Sequence, residues 1–318
     1  QQINYFLIDV MIDPKQLQAL VAVHAEGSFL AAARALGLTP AAITQRIKAL
    51  EATIGSLVLI RGKALRLTPQ GQSLLAYSQR SQLLDQDLRE TLQLSPRSGR
   101  GGRHRLNWQT LRVAINADSL ATWFLPGVQS ALSKHQLLLD VVIDDQDHTH
   151  EALNNGDVIG CITTLAQPIQ GCLAEPIGAL RYRAVANQQW LAQCLTPSGR
   201  LSIHRLLAQP AVVFNRKDAM HDRFLAQFFE LRQPLYPKHF VPALDAFERA
   251  IALGLGWGMV VDMPARPLDL AGDVVEVLPD HYLTVPLYWQ HWEKEPKAAA
   301  ALTQAVKEAA LRALYQTK

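Results

Sequence analysis

Residues 28–51 read Ser28-Phe29-Leu30-Ala31-Ala32-Ala33-Arg34-Ala35-Leu36-Gly37-Leu38-Thr39-Pro40-Ala41-Ala42-Ile43-Thr44-Gln45-Arg46-Ile47-Lys48-Ala49-Leu50-Glu51. The punctuation of this stretch decides the first third of the fold. Ser28 is an N-cap residue ahead of the alanine-rich run Phe29–Leu36, and Gly37 ends that run. Thr39-Pro40 is a second cap, with proline at the first helical position, where a backbone N–H is not needed. In the helix that follows, Ile43, Ile47, Leu50 and Ile54 recur at i, i+4, i+7 and i+11, one inward face, and Gly55 closes it. Two helices joined by a three-residue turn form a helix-turn-helix.

Working outward, Asp13-Pro14 starts an earlier helix with Leu17, Leu20, Val21 and Val23 on one face and Gly27 as its stop. Residues 1–10 are read as an extension ahead of Met11 and carry no part of the fold argument. Leu57–Thr68 has two short apolar runs around Gly62 and predicts a small hairpin, so residues 11–68 read as a winged helix-turn-helix. Thr68-Pro69 then opens a long helix to about Leu94, striped by Leu74, Leu75, Leu83, Leu84, Leu88 and Leu92. Such a helix, exposed after a small domain, needs a partner, and its copy in a second subunit is the expected one. Ser95–Trp108 closes this linker region, residues 69–108. It carries Arg97, Arg100, Arg103 and Arg105 with no acid, and reads either as a solvated tether or as an auxiliary phosphate-binding stretch.

Residues 109–318 alternate strand and helix. Strands are predicted at Leu111–Ile115, Leu137–Ile143 and Val158–Thr163, with helices at Ser119–Leu132 and Thr149–Asn155 between them. This βαβαβ order predicts a parallel sheet with ligands at the strand carboxyl ends. A second set follows: strands Tyr182–Ala186, Ala211–Phe214, Met259–Val261 and Val285–Trp289, and helices Met220–Phe229, Ala243–Leu253 and Ala298–Tyr315. The fold class is therefore α+β and multidomain: a winged helix-turn-helix, a long linker helix and a two-lobed α/β domain with a cleft.

Composition narrows the function. The chain has 318 residues, 49% hydrophobic and 19% charged, with a net charge of only +3, so the distribution of charge must decide. Residues 28–67 hold six basic residues (Arg34, Arg46, Lys48, Arg61, Lys63, Arg66) against one acid, Glu51. Phosphate binding needs such a local excess. In a helix-turn-helix the start of the second helix meets base edges. Here it offers Thr39, Pro40, Ala41, Thr44, Gln45 and Arg46, with Ser28, Lys48 and the wing residues Arg61, Lys63 and Arg66 on backbone or minor groove. The bland alternative is a helical hairpin with a solvated basic face. No apolar run reaches the ~18–20 residues of a membrane span. The first ten residues lack the positive charge of a secretory signal. Cys161, Cys172 and Cys194 are odd in number and widely spaced, which predicts reduced thiols in a cytoplasmic protein. No Gly-x-Ser-x-Gly elbow is present, so no enzyme is expected. The Gly254–Gly258 run lacks a Walker lysine and reads as a tight turn.

Ser28–Leu36, Thr39–Glu51 and Leu67-Thr68-Pro69-Gln70-Gly71 resemble the LysR-type transcriptional regulators. Ile115-Asn116-Ala117-Asp118-Ser119-Leu120-Ala121-Thr122-Trp123-Phe124-Leu125-Pro126 and Asp218-Ala219-Met220-His221 resemble the ArgP/LysG branch of that family. The resemblance implies a periplasmic-binding-protein-like effector domain that senses L-lysine or L-arginine. It also implies an operator in double-stranded DNA, a homodimer or homotetramer, RNA polymerase as a partner and an amino-acid exporter gene as target. A zwitterion with a cationic tail needs an anion site and carboxylates. Ser119 opens a helix whose free N–H groups suit the α-carboxylate, and Thr122 adds a hydroxyl. The resemblance favours Asp145, Asp218, His221 and Asp245 for the cations. Asn116, Asp118, Trp123, Thr163 and Phe214 complete the expected cleft. Each of these residues alone also reads as a cap, a core residue or a surface charge. Asp144–His150 is chemically able to hold a metal but lies where polar turns are ordinary, so neither metal nor cofactor is expected. The alternative reading is the same regulator with a different small-metabolite or metal effector.

Overall fold

The computed structural model describes residues 12–60, 62, 65–92, 108–143, 153, 157–264 and 273–316. Residues 1–10, Arg61, Lys63, the arginines of the linker and Asp144–His150, Asp145 included, lie outside the described residues, as does nearly all of the helix expected at 149–155.

The head is three helices and a wing. α1 (Pro14–Glu26) is capped by Asp13, which accepts from Lys15 N–H at 2.8 Å. α2 (Phe29–Leu36) is capped by Ser28, and α3 (Pro40–Ile54) by Thr39, each side-chain oxygen accepting from the backbone N–H three residues on. Gly27, Gly37 and Gly55 end the three helices in the left-handed region, as their positions predicted. Leu17, Leu20, Val23, Ile43, Ile47 and Leu50 close one small core, which also takes in Val58 and Leu59. The wing is a ladder of β1 (Leu59–Ile60) and β2 (Arg66–Leu67). Glu51, the one acid of the basic segment, accepts from Val58 N–H at 3.1 Å and anchors the wing to α3. Thr68 donates to Leu57 C=O and accepts from Gly71 N–H, starting α4 (Pro69–Thr91).

The expected single stripe on α4 is divided among faces. Leu74 packs into the head, Leu83 packs against the core of the second half of the chain, and Tyr77, Leu84, Leu88 and Leu92 are exposed. A 23-residue helix crosses several environments, and spacing alone does not assign each leucine to one.

The second half holds β3 (Gln109–Ile115), α5 (Ala117–Ser119), a π-helical turn (Leu120–Phe124), α6 (Leu125–His135), β4 (Leu137–Ile143), β5 (Gly160–Thr163) and β6 (Cys172–Asn187). Then come α7 (Gln188–Ala192), α8 (Ile203–Ala208), β7 (Ala211–Val213), α9 (Met220–Phe229), β8 (Lys238–Phe240) and α10 (Leu244–Ala252). β9 (Gly258–Asp262), β10 (Val274–Glu276), β11 (Tyr282–Trp292) and α11 (Lys297–Ala313) complete it. β3 pairs in parallel with β4 and β5, as the βαβαβ pattern required. The sheet is mixed beyond that point. β6 and β11 are long antiparallel strands that the sequence pattern caught only in part, at 182–186 and 285–289. The carboxyl-terminal part of β11 pairs with β5, while the corresponding part of β6 pairs with β9 and β10. These two strands thus run through both lobes. Their register shifts between Leu287 and Tyr288, beside Gly178 at φ +125°, where a Cβ would meet Leu314 and Tyr315 at 2.9 Å. Only glycine fits that backbone and that contact.

Candidate functional site

The head presents its binding groups on α2, α3 and the wing. Ser28 and Thr39 are occupied as caps, so their hydroxyls order the helices first. Thr44 donates its hydroxyl proton to Pro40 C=O at 2.9 Å, which leaves the oxygen only accepting capacity. Thr39, Pro40, Ala41, Gln45, Lys48 and Arg66 are exposed, and Arg46 is half-buried. The inward face of α3 is apolar and the outward face polar and basic, the arrangement a recognition helix needs.

The second site is a cavity of about 580 Å³ between the lobes, at the carboxyl ends of β3 and β5. Asn116, Asp118, Thr163, Phe214 and Asp218 from the expected set line it. Ser119, Thr122, Trp123, His221 and Asp245 do not. Ser119 is fully buried, its hydroxyl without a hydrogen-bond partner among the described residues. Thr122 spends its hydroxyl on Asp118 C=O at 2.6 Å. Trp123 is in the core, edge-on to Phe124. His221 is buried with its ring centroid 4.6 Å from that of Trp257, and burial pushes its pKa down to about 4. It is neutral at pH 7 and serves packing. Asp245 is exposed on the first turn of α10.

The cavity instead uses Glu248, Tyr182, Lys217 and Arg223. Glu248 was within reach of sequence reasoning. It lies on the same face as Leu244 and beside the buried Phe247, one turn beyond Asp245, so a helical wheel anchored on Phe247 selects it. Tyr182 sits mid-strand on β6, and no local pattern announces it.

The electrostatic centre is Asp118. Its carboxylate is half-buried on the cavity wall and accepts from Tyr182 Oη at 2.6 Å. Burial raises its pKa, the tyrosine bond opposes that rise, and the charges of Asp218 and Glu248 add to it. Three carboxylates therefore converge here. Asp218 is itself held in place, accepting from Phe214 N–H at 3.2 Å and Met220 N–H at 2.9 Å. Lys217 and Arg223 bring two positive charges to the same wall. With three carboxylates against two cations the wall is formally negative, so a ligand with two cationic groups and one carboxylate complements it in sign. No group of three or more His, Cys, Asp or Glu able to hold a metal occurs among the described residues, and no described helix is long and apolar enough to cross a membrane.

Residues 14–72 match the family described as bacterial regulatory helix-turn-helix protein, lysR family, and residues 105–311 match the LysR substrate binding domain. The chain is 36% identical over 295 residues to the HTH-type transcriptional regulator ArgP of Pseudomonas aeruginosa, covering 93% of this chain and 95% of that protein. It is 37% identical over 305 residues to the regulator LysG of Mycobacterium tuberculosis, covering 96% and 95%. Among solved structures it resembles ArgP from Mycobacterium tuberculosis, with a TM-score of 0.79 and 35% identity over 97% of this chain and all of that one. Full-length LysG from Corynebacterium glutamicum with the effector Arg bound matches at a TM-score of 0.71 and 32% identity, over 95% of this chain and 99% of that one.

Proposed function

The chain belongs to the LysR family of bacterial transcriptional regulators, related to its ArgP and LysG members, and from that premise we propose that its effector is L-lysine or L-arginine, bound in the cleft at Asp118. The observation that carries this reading is the half-buried, partly desolvated Asp118 carboxylate with Asp218 and Glu248 in electrostatic reach. Leaving that charge unpaired in a low-dielectric site is costly, and a cationic ligand offsets the cost. The ligand's two positive groups face the three carboxylates, and its carboxylate faces Lys217 and Arg223. Arginine and lysine differ here as a planar fork against a point charge. The bound amino acid favours one arrangement of the lobes, and that preference shifts the geometry offered to DNA.

The rest of the proposal follows from a DNA-binding regulator. Thr39–Arg46 reads the major groove, with Lys48 and the wing on phosphates. The exposed face of α4, with Tyr77, Leu84, Leu88 and Leu92, pairs with a second copy in a homodimer or homotetramer. The protein works in the cytoplasm, with RNA polymerase as partner and an amino-acid exporter gene as target. Isothermal titration with lysine, arginine, histidine and glutamate tests the effector. Heat with lysine or arginine and none with glutamate is expected. No heat with either basic amino acid would overturn the assignment and put another metabolite, or a metal at residues 144–150, in its place.

A further inference from the structure

One contact that joins the linker helix to the effector domain is a helix cap supplied from a distance. α11 begins at Lys297 after Pro296, whose side chain cannot accept a hydrogen bond, so its first amides lack a local cap. The Asp87 carboxylate on α4, 210 residues earlier, accepts from Lys297 N–H at 2.8 Å. A carboxylate at that end also complements the helix dipole. Leu83, one turn before Asp87 on the same face of α4, packs against the effector-domain core, so the cap does not stand alone. The start of α11 is tied down from the other side. Glu295 accepts from Thr303 Oγ1 at 2.6 Å and lies 3.2 Å from His291 Nδ1, and Thr303 accepts from Trp289 Nε1 at 2.9 Å.

From α11 the packing leads to the cleft without slack. A Cβ at Gly127 on α6 would come within 2.2 Å of the Ala309 methyl on α11, so the two helices touch with no space for a side chain. The same helical run carries Asn116–Asp118 at its start, on the cavity wall. A movement of that wall that is carried along this helical run therefore presses on α11 at the Gly127–Ala309 contact.

We propose that the Asp87–Lys297 cap is the coupling contact between effector cleft and DNA-binding head: the bond holds α4 to α11, and occupancy of the cleft changes the strength of that hold. This rests on the effector reading above. The test compares wild type, Asp87→Ala and Asp87→Asn, full length, with lysine and arginine as probes. The DNA is a duplex selected by the wild-type protein from a random-sequence pool. The amide acceptor of asparagine caps helices well, so it should rescue much of the effect. Asp87→Ala should bind amino acid and bare DNA within twofold of wild type, while the effector-dependent change in DNA affinity shrinks about fivefold, the size expected for loss of one cap. Asp87→Asn should recover most of that change. A wild-type effector response in Asp87→Ala would overturn the proposal. Should wild type take neither amino acid, the effector reading fails, and hydrogen exchange at the amides of 297–300 then decides the cap: faster exchange in Asp87→Ala supports it, and unchanged exchange overturns it.

Discussion

In the head, Arg34, Lys48 and Arg66 of the basic segment stand in solvent. In the cleft, Asp118 is half-buried, accepts from Tyr182 and has its pKa raised by desolvation. On the proposed function, the two regions bind by charge in different dielectric settings. The attraction of exposed cations for a polyanion is screened by salt. A buried carboxylate is little screened by salt but is sensitive to protons, because burial has already made its charged form costly. One chain should therefore carry a more salt-sensitive site and a more pH-sensitive site, and substitutions should separate them.

The largest expected effect is at Asp118. Asp118→Asn keeps an acceptor for Tyr182 Oη and removes the charge. Affinity for lysine or arginine should fall by about 2–5 kcal/mol, thirtyfold or more, with operator binding intact. The unliganded protein should also become more stable at neutral pH. The sign follows from the raised pKa: the folded state holds this proton better than the unfolded chain, so the ionised form costs stability, fully so above the folded pKa and not at all below about 3.8. Titration calorimetry and thermal unfolding read the two effects. An Asp118→Asn protein that binds arginine as well as wild type would end the buried-carboxylate account.

The matching change in the head is Arg46→Ala, with an expected loss of about 1–3 kcal/mol in operator binding and an unchanged amino-acid titration. Competition binding on the selected duplex measures it. Normal operator affinity would show that Arg46 stands off the DNA.

How much of this was legible differs between the regions for one physical reason. In the head, every decisive signal is local. Ser28 and Thr39 cap helices three residues away, Gly37 ends one, and Ile43, Ile47 and Leu50 mark a face within a few turns. The cleft is assembled by two strands that cross between lobes, which brings Asp118, Tyr182, Asp218 and Glu248 together across 130 residues of chain. Its parts that follow a strand, Asn116, Asp118 and Thr163, were readable because ligands gather at strand ends. Tyr182 and Arg223 were not, since nothing near them in sequence says which way they face. Ser119 and His221 looked polar enough for a site, but their surroundings absorb them, His221 against Trp257 and Ser119 beneath the first turn of its helix.

A pH series sharpens the contrast. Effector affinity should weaken as pH falls through the raised pKa of Asp118, by up to tenfold per unit, because the ligand must displace a proton there. Asp118→Asn should lose that slope. The series has an acid limit set by His221. Its pKa is depressed to about 4, so folded stability is intact above the ordinary value near 6.5 and declines as pH falls from there toward 4. Proton release on ligand binding, read from calorimetry in buffers of different ionisation heat, isolates Asp118 from that decline. A flat profile in wild type would mean that the ligand's cation lies elsewhere.

The smallest expected change is the most telling about the head. Lys48→Ala removes one exposed cation from the outer face of α3 and no packing. If Lys48 touches a phosphate, affinity should fall about equally for selected and random duplexes, and the slope of log affinity against log salt should drop by about one. If it touches a base edge, discrimination between the two duplexes should fall instead. Effector binding should respond to salt less steeply than DNA binding, since Asp118, Asp218 and Glu248 are half-buried, and should not respond to this substitution. A salt slope in the amino-acid titration as steep as that for DNA would erase the distinction between the two sites, and would place the cleft's carboxylates in open solvent.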